Sequence, residues 1–160
     1  MISNLENKEY IIVEIIPTTT NPETGEIAQL SALKLNGLTL IDRFDYRLVE
    51  DKIDNIYIKE MINYDKENFI YRETTKEIKS EFKKWIKKDL LLIIDNNYTK
   101  EYLKDYHNEK ESIFKYLNTE FNDDVFNELI EKYHLEKSNY IVDLLFESLI
   151  YESNNITSKE

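Results

Sequence analysis

The run at residues 10–16, Tyr-Ile-Ile-Val-Glu-Ile-Ile, constrains the fold more than any other stretch of this chain. It is apolar and β-branched and ends at Pro17, and such a run is typical of a central strand buried on both faces. Glu14 interrupts it, and an ionised carboxylate is costly to bury unless it is paired. We therefore expect Glu14 either to be a structural carboxylate, at a strand end or paired with a cation, or to bind a metal.

A second strand follows after a polar turn. Residues 21–25, Asn-Pro-Glu-Thr-Gly, combine a proline that fixes φ with a glycine that can adopt positive φ. Residues 26–35 then alternate, with Ile27, Gln29 and Leu33 on one face. The sequence predicts a hairpin whose two strands pair antiparallel.

The rest of the chain predicts a single α/β domain over residues 10–151. A third, half-exposed strand is expected at residues 38–49, and residues 50–71 are expected to form a loop with one short helix. The apolar run at residues 90–94 directly follows a helical pattern, which indicates a parallel strand reached by a crossover. The predicted helices cover residues 74–88, 98–105, 123–133 and 138–151. Residues 1–9 are expected to be a polar lead-in and residues 152–160 a flexible tail.

Charge and composition narrow the possible functions. The 160 residues carry a formal net charge of −11, and no run of basic residues exceeds a pair. Since Lys and Arg contacts to phosphates supply most non-specific affinity, direct nucleic-acid binding is disfavoured unless metal offsets the repulsion. The chain has no cysteine, which fits a reducing compartment, and no stretch long and apolar enough for a membrane span. We expect a cytoplasmic protein.

Several positions of the hairpin match a known family. Ile27, Gln29, Ala32 and Lys34 reproduce an Ile-x-Gln-x-x-Ala-x-Lys strand, and Thr18 falls on a threonine that follows the preceding strand. This pattern resembles the DEDD-type 3′-to-5′ exonucleases of the DEDDh kind. The resemblance implies a ribonuclease H-like fold, with a mixed β-sheet of three antiparallel strands followed by parallel strands, flanked by helices.

The catalytic positions of that family match poorly. Glu14 falls on the first aspartate of the family and Ile16 on its glutamate. In the stretch at residues 98–103 the aromatic residues and leucine match, but Thr99 replaces the second aspartate. Near the last helix Asp143 matches, whereas Ser138 replaces the histidine.

The resemblance also implies a chemistry that these substitutions impair. The family uses four carboxylates to hold two divalent cations about 4 Å apart, with histidine as general base. Glu14 and Asp143 alone would hold Mg²⁺ or Mn²⁺ weakly, and Asp95 is a possible compensating ligand. Asp143 could instead be an acid in the first turn of the last helix, where the helix dipole favours it.

Two functions remain open. One is a catalytically inactive, exonuclease-like binding or regulatory module that needs no cofactor and contacts a partner protein that has a basic surface. A variant of this function is an acidic inhibitor that occupies a nucleic-acid-binding groove on its target. The alternative is a 3′-to-5′ exonuclease acting on DNA or RNA through an altered metal site. Homodimerisation is implied by the resemblance alone.

Overall fold

The computed structural model describes residues 2–19, 25–62, 69–136 and 141–158. Its strands are β1 (Glu9–Pro17), β2 (Ile27–Asn36), β3 (Thr39–Leu48), β4 (Ile70–Arg72), β5 (Leu90–Ile93) and β6 (Lys110–Ser112). Its helices are α1 (Ile56–Ile62), α2 (Thr75–Ile86), α3 (Asn97–Leu103), α4 (Ile113–Tyr116), α5 (Val125–Tyr133) and α6 (Ile141–Ser158). Short 3₁₀ turns span Ile2–Leu5 and Glu50–Lys52. Within the described ranges, no helix combines the length and apolar character that a membrane span requires.

The six strands form one mixed sheet in the order β4-β3-β2-β1-β5-β6. Strand β1 pairs antiparallel with β2 and parallel with β5, and β2 pairs antiparallel with β3. Every residue of β1 after Glu9 is buried. The predicted central strand and mixed sheet are therefore confirmed. Residues 21–24 of the predicted hairpin turn lie outside the described residues.

Helices cover both faces of the sheet because alternate residues of β1 point to opposite sides. Ile11 and Val13 pack with apolar residues of α2 and α3. Ile12 packs on the other side with apolar residues of α4, α5 and α6. The resulting three layers place the start of α6 against the same sheet face that carries Glu14.

Helix α2 begins with the capping box that the sequence predicts. The Thr74 hydroxyl accepts a hydrogen bond from the Glu77 backbone N–H at 3.1 Å, and the Glu77 carboxylate accepts one from the Thr74 N–H at 3.2 Å. The helix then buries Ile78, Phe82 and Ile86 against the sheet. Local capping and helical periodicity agree here with the tertiary packing.

The structure adds short elements that the sequence did not predict. Strands β4 and β6 have three residues each and α4 has four, which is too short for a periodic pattern to register. The region at residues 50–71 accordingly contains a 3₁₀ turn and β4 in addition to the one expected helix.

Both ends of the chain are more structured than expected. In the lead-in, Ile2 and Leu5 are buried in the core. Helix α6 continues through Ser158, past the predicted boundary at residue 151, and Glu152 is buried. Its carboxylate accepts hydrogen bonds from the Tyr133 hydroxyl and, at 2.8 Å, from the Asn118 amide. These contacts could not be predicted from the polar sequence of this segment.

Replacing Thr74 with alanine should lower the free energy of unfolding by about 1 kcal/mol, because one helix N–H loses its side-chain acceptor. Urea unfolding followed by circular dichroism measures this change. Thr74→Ser keeps the hydroxyl and is the matched control, which should remain within a few tenths of a kcal/mol of wild type. Equal losses in the two variants would contradict a capping role.

Candidate functional site

The register of the sheet aligns charged side chains in one row across three strands. Glu14 on β1 pairs with Ser31 on β2, and Ser31 pairs with Asp45 on β3. Residues directly opposite each other share a sheet face, as do residues two apart on one strand. Glu14, Asp45 and Arg43 therefore lie on the same face, the one that α6 covers.

Helix α6 contributes Asp143 from its first turn. Both carboxylate oxygens of Asp143 accept hydrogen bonds from the Arg43 guanidinium, from Nη1 at 2.7 Å and from Nη2 at 3.2 Å. The Nε–H of Arg43 donates to Asp45 at 3.0 Å. A planar guanidinium fits a carboxylate in this two-pronged way and stays charged throughout the accessible pH range. Arg43 thus supplies a fixed positive charge to the acid that matches the last family motif.

Glu14 lies in an environment that favours its neutral form. Its residue is only 6 % exposed. Burial, and to a smaller extent the negative charge of Asp143, raise the pKa of Glu14 from 4.5 to about 8. At neutral pH the protonated carboxyl therefore predominates, and it must lose its proton before it can serve as a metal ligand.

Three further positions, Ile16, Thr99 and Ser138, carry residues that differ from the catalytic residues of the family. The structure describes the first two. Ile16 is buried near the end of β1 and offers no ligand atom. Thr99 is fully buried in the first turn of α3, where its backbone N–H donates to the capping Asn96 side chain at 2.9 Å. Its hydroxyl oxygen has no hydrogen-bond partner within the described part of the chain. Ser138 lies outside the described residues.

Asp95, the possible compensating ligand, is tied to a different element. It follows β5 and accepts a hydrogen bond from the Ser112 hydroxyl. The same hydroxyl oxygen accepts from the Phe114 backbone N–H at 3.2 Å and so caps α4. Over residues 2–19, 25–62, 69–136 and 141–158, no three His, Cys, Asp or Glu side chains are grouped so that they could hold a metal ion.

The donor set does not fit the pair of divalent cations that the resemblance implies. Glu14 and Asp143 lie close enough for their charges to interact, but one is mainly neutral and the other is paired with Arg43. Ile16 and Thr99 provide no carboxylate where two more would be needed. Chemically, the site can hold a proton on Glu14 and an internal ion pair.

Sequence reasoning missed Arg43, the residue that organises this site. The available signal was the alternation of charged residues on β3, where Arg43, Asp45 and Arg47 share one face. Reading it required the register that aligns β3 with Glu14, together with the position of a helix 100 residues further along the chain. Neither the strand register nor the position of that helix could be predicted from the local sequence pattern.

Comparison with known proteins supports the fold. No protein-family model and no curated protein sequence matches the chain. Among solved structures, a product-bound exonuclease I superposes with a TM-score of 0.58 and 12 % identity, covering 96 % of this chain and 44 % of that one. A zinc-bound complex of E. coli exonuclease I with single-stranded DNA gives a TM-score of 0.60 and 12 % identity, covering 92 % and 40 %. Exonuclease I in complex with SSB-Ct gives 0.54 and 13 %, covering 89 % and 40 %.

These matches confirm the predicted ribonuclease H-like α/β fold. At such low identity they establish the fold alone. The chain spans less than half the length of the exonuclease I structures that it matches.

The raised pKa of Glu14 predicts a specific pH dependence of stability. Between pH 4.5 and about 8 the folded protein holds a proton on Glu14 that the unfolded chain has released, so stability falls as pH rises through this window. The contribution of Glu14 to that slope should approach about 1.4 kcal/mol per pH unit.

Chemical denaturation of wild type and Glu14→Gln at several pH values between 5 and 8 measures this contribution. The difference between the two unfolding free energies should shift in favour of Glu14→Gln as pH rises, because glutamine cannot lose a proton. Parallel profiles would show that Glu14 titrates normally in the folded protein.

Proposed function

We propose that this chain is a catalytically inactive, exonuclease-like protein that acts as a binding or regulatory module through contacts with another protein. The observation that carries the proposal is the ion pair between Arg43 and Asp143. It places a side-chain cation against one of the two acids retained at the family's metal-binding positions.

A guanidinium cannot replace the chemistry of the missing ions. Two-metal nucleases use one cation to generate hydroxide and the other to stabilise the leaving oxygen, and both need open coordination positions. Arg43 balances the charge of Asp143 but does not lower the pKa of a bound water in this way. For a divalent ion to enter, Arg43 would have to be displaced and Glu14 deprotonated, and two further ligands would still be missing.

Charge favours a protein partner over a nucleic acid. The solved structures that resemble this chain include exonuclease I with single-stranded DNA and exonuclease I with SSB-Ct. A chain with net charge −11 repels phosphates and attracts basic surfaces. We therefore propose that this fold is used for contact with a basic protein surface.

Purified protein incubated with end-labelled single-stranded DNA or RNA in Mn²⁺ should show no shortening from the 3′ end. The control is the double variant Glu14→Ala, Asp143→Ala, which lacks both retained acids and should give the same product pattern as wild type. Gel electrophoresis over a long time course measures this. Loss of ligands and base from one catalytic unit removes most of the rate enhancement, so a partial activity is not expected.

Trimming by wild type that the double variant abolishes would contradict the proposal. It would identify the chain as a 3′-to-5′ exonuclease whose altered site uses Glu14 and Asp143. Equal trimming by both proteins would instead point to a contaminating nuclease, which a further chromatographic step removes.

A further inference from the structure

Positive charge is concentrated on helix α2, although the chain as a whole is acidic. Residues 75–88 contain six lysines and two glutamates, against a net charge of −11 for the whole sequence. Lys76, Lys79 and Lys83 recur at intervals of three and then four residues, so they project from one side of the helix. These three residues are here named the lysine ridge. Segregation of positive charge on an acidic protein indicates a surface that contacts an anionic partner.

The lysine ridge borders a groove of about 500 Å³ between α2 and the residues just after α3. Thr75, Ser80, Asp105 and Tyr106 complete its lining. The Tyr106 hydroxyl donates to the Lys79 carbonyl oxygen at 2.8 Å, and the Lys79 Nζ lies 6.0 Å from the centroid of the Tyr106 ring. The groove therefore offers a concave surface that the convex side of a helix from another molecule can enter.

The lysine ridge carries charge that the molecule itself does not balance. Lys76 and Lys83 are exposed, and neither forms an ion pair with a residue of the described ranges. Lys79, between them, has its Nζ 3.5 Å from the carboxylate of Asp105. The ridge therefore keeps a surplus of positive charge that carboxylates of another molecule can neutralise.

Helix α5 carries the complementary charge. Residues 120–136 contain six acidic residues and one lysine. Asp124, Glu128 and Glu131 recur at intervals of four and then three residues, so they share one side of the helix. All three are exposed, and none forms an ion pair within the described part of the chain. They are here named the acid ridge.

The two ridges lie on opposite sides of the sheet. Helix α2 packs on the face that carries Ile11 and Val13, whereas α5 packs on the face that carries Ile12. The ridges of one molecule therefore cannot meet each other. A two-fold pair would have to join α2 to α5 in both directions at once, which ridges on opposite faces do not permit. Their charges are matched for contact between successive molecules.

We propose that copies of this chain associate head to tail, with the lysine ridge of one copy against the acid ridge of the next. Each ridge spans about 10 Å at the rise of an α-helix. Because the interval of three precedes the interval of four in one ridge and follows it in the other, antiparallel helices match the charges one to one. This register brings Lys76 to Glu131 and Lys83 to Asp124.

Facing charges decide whether two copies attract each other. The net charge of −11 repels copies at long range, but the Debye length at physiological ionic strength is about 8 Å, so the ridges in contact dominate. Exposed ion pairs are individually weak, so the association should be weak and should grow with protein concentration. Since a head-to-tail contact leaves one ridge uncovered at each end, association should not stop at a dimer.

Sedimentation equilibrium of the full chain at physiological salt, from micromolar to near-millimolar concentration, measures this association. The average mass of wild type should rise continuously with concentration. Lys76→Glu, Lys83→Glu should weaken association by about tenfold, because two attractive pairs become repulsive. Lys8→Glu, Lys52→Glu makes the same change of net charge at exposed residues outside the ridge and should associate as wild type does.

A second double variant identifies the partner surface. Glu128→Lys, Glu131→Lys should lose association to a similar degree, because both of its ridges are then basic. The matched control is Glu6→Lys, Glu60→Lys, which changes exposed residues outside α5 and should associate at least as strongly as wild type. Thermal unfolding shows whether each variant is folded.

Mixing the two ridge variants tests the contact itself. The α2 variant keeps an unchanged acid ridge, and the α5 variant keeps an unchanged lysine ridge. An equimolar mixture should therefore form a one-to-one pair, although neither variant associates alone.

Four results would overturn the inference. They are a wild type that stays monomeric at every concentration, ridge variants that associate as strongly as their controls, loss of association in only one ridge variant, and a mixture that does not pair. A monomeric wild type whose lysine ridge binds an oligonucleotide would assign the ridge to nucleic acid. The nuclease assay tests the proposed function separately, because head-to-tail association does not depend on whether the protein trims 3′ ends.

Discussion

Burial of β1 on both faces is the constraint on which the rest of the structure depends. The strand pairs with β2 and β5 and lies between α2 and α3 on one side and α6 on the other, so it holds both apolar layers together. The same burial raises the pKa of Glu14 to about 8 and keeps its carboxyl mainly neutral near pH 7. Burial of β1 therefore stabilises the fold and also opposes the deprotonation of Glu14 that metal binding would require.

Arg43 connects strand β3 with helix α6 at the candidate site. Its guanidinium pairs with Asp45 on the same strand and with Asp143 in the first turn of α6. Because both partners in the Arg43–Asp143 pair are about one-third exposed, solvent screens the pair and its contribution to stability is modest. We infer that its main effect is at the candidate site, where the Arg43 guanidinium balances the charge of the Asp143 carboxylate in place of a metal ion.

Local signals predicted the strongest elements of the fold. The β-branched run of β1, the Thr74 capping box and the helix-to-strand transition before β5 each depend on neighbouring residues, and the structure confirms all three. Elements of three or four residues were missed because their sequences carry no period. The Arg43 contact was missed for another reason, since it depends on strand register and on a helix distant in sequence. The resemblance predicted which acids to inspect, but only the packing around them showed that Glu14 is mainly neutral and that Asp143 pairs with Arg43.

Paramagnetic broadening by Mn²⁺ in an amide-resolved NMR spectrum reports metal proximity at each residue, so it tests whether Glu14 and Asp143 together hold a divalent ion. Because Glu14 is mainly neutral and Asp143 is paired with Arg43, their amide signals should broaden no earlier than those of the exposed Asp123 and Asp124 as Mn²⁺ is raised to millimolar concentration. Selective broadening of Glu14 and Asp143 at micromolar Mn²⁺ would show that an ion displaces Arg43 and that the two retained acids do form a metal site.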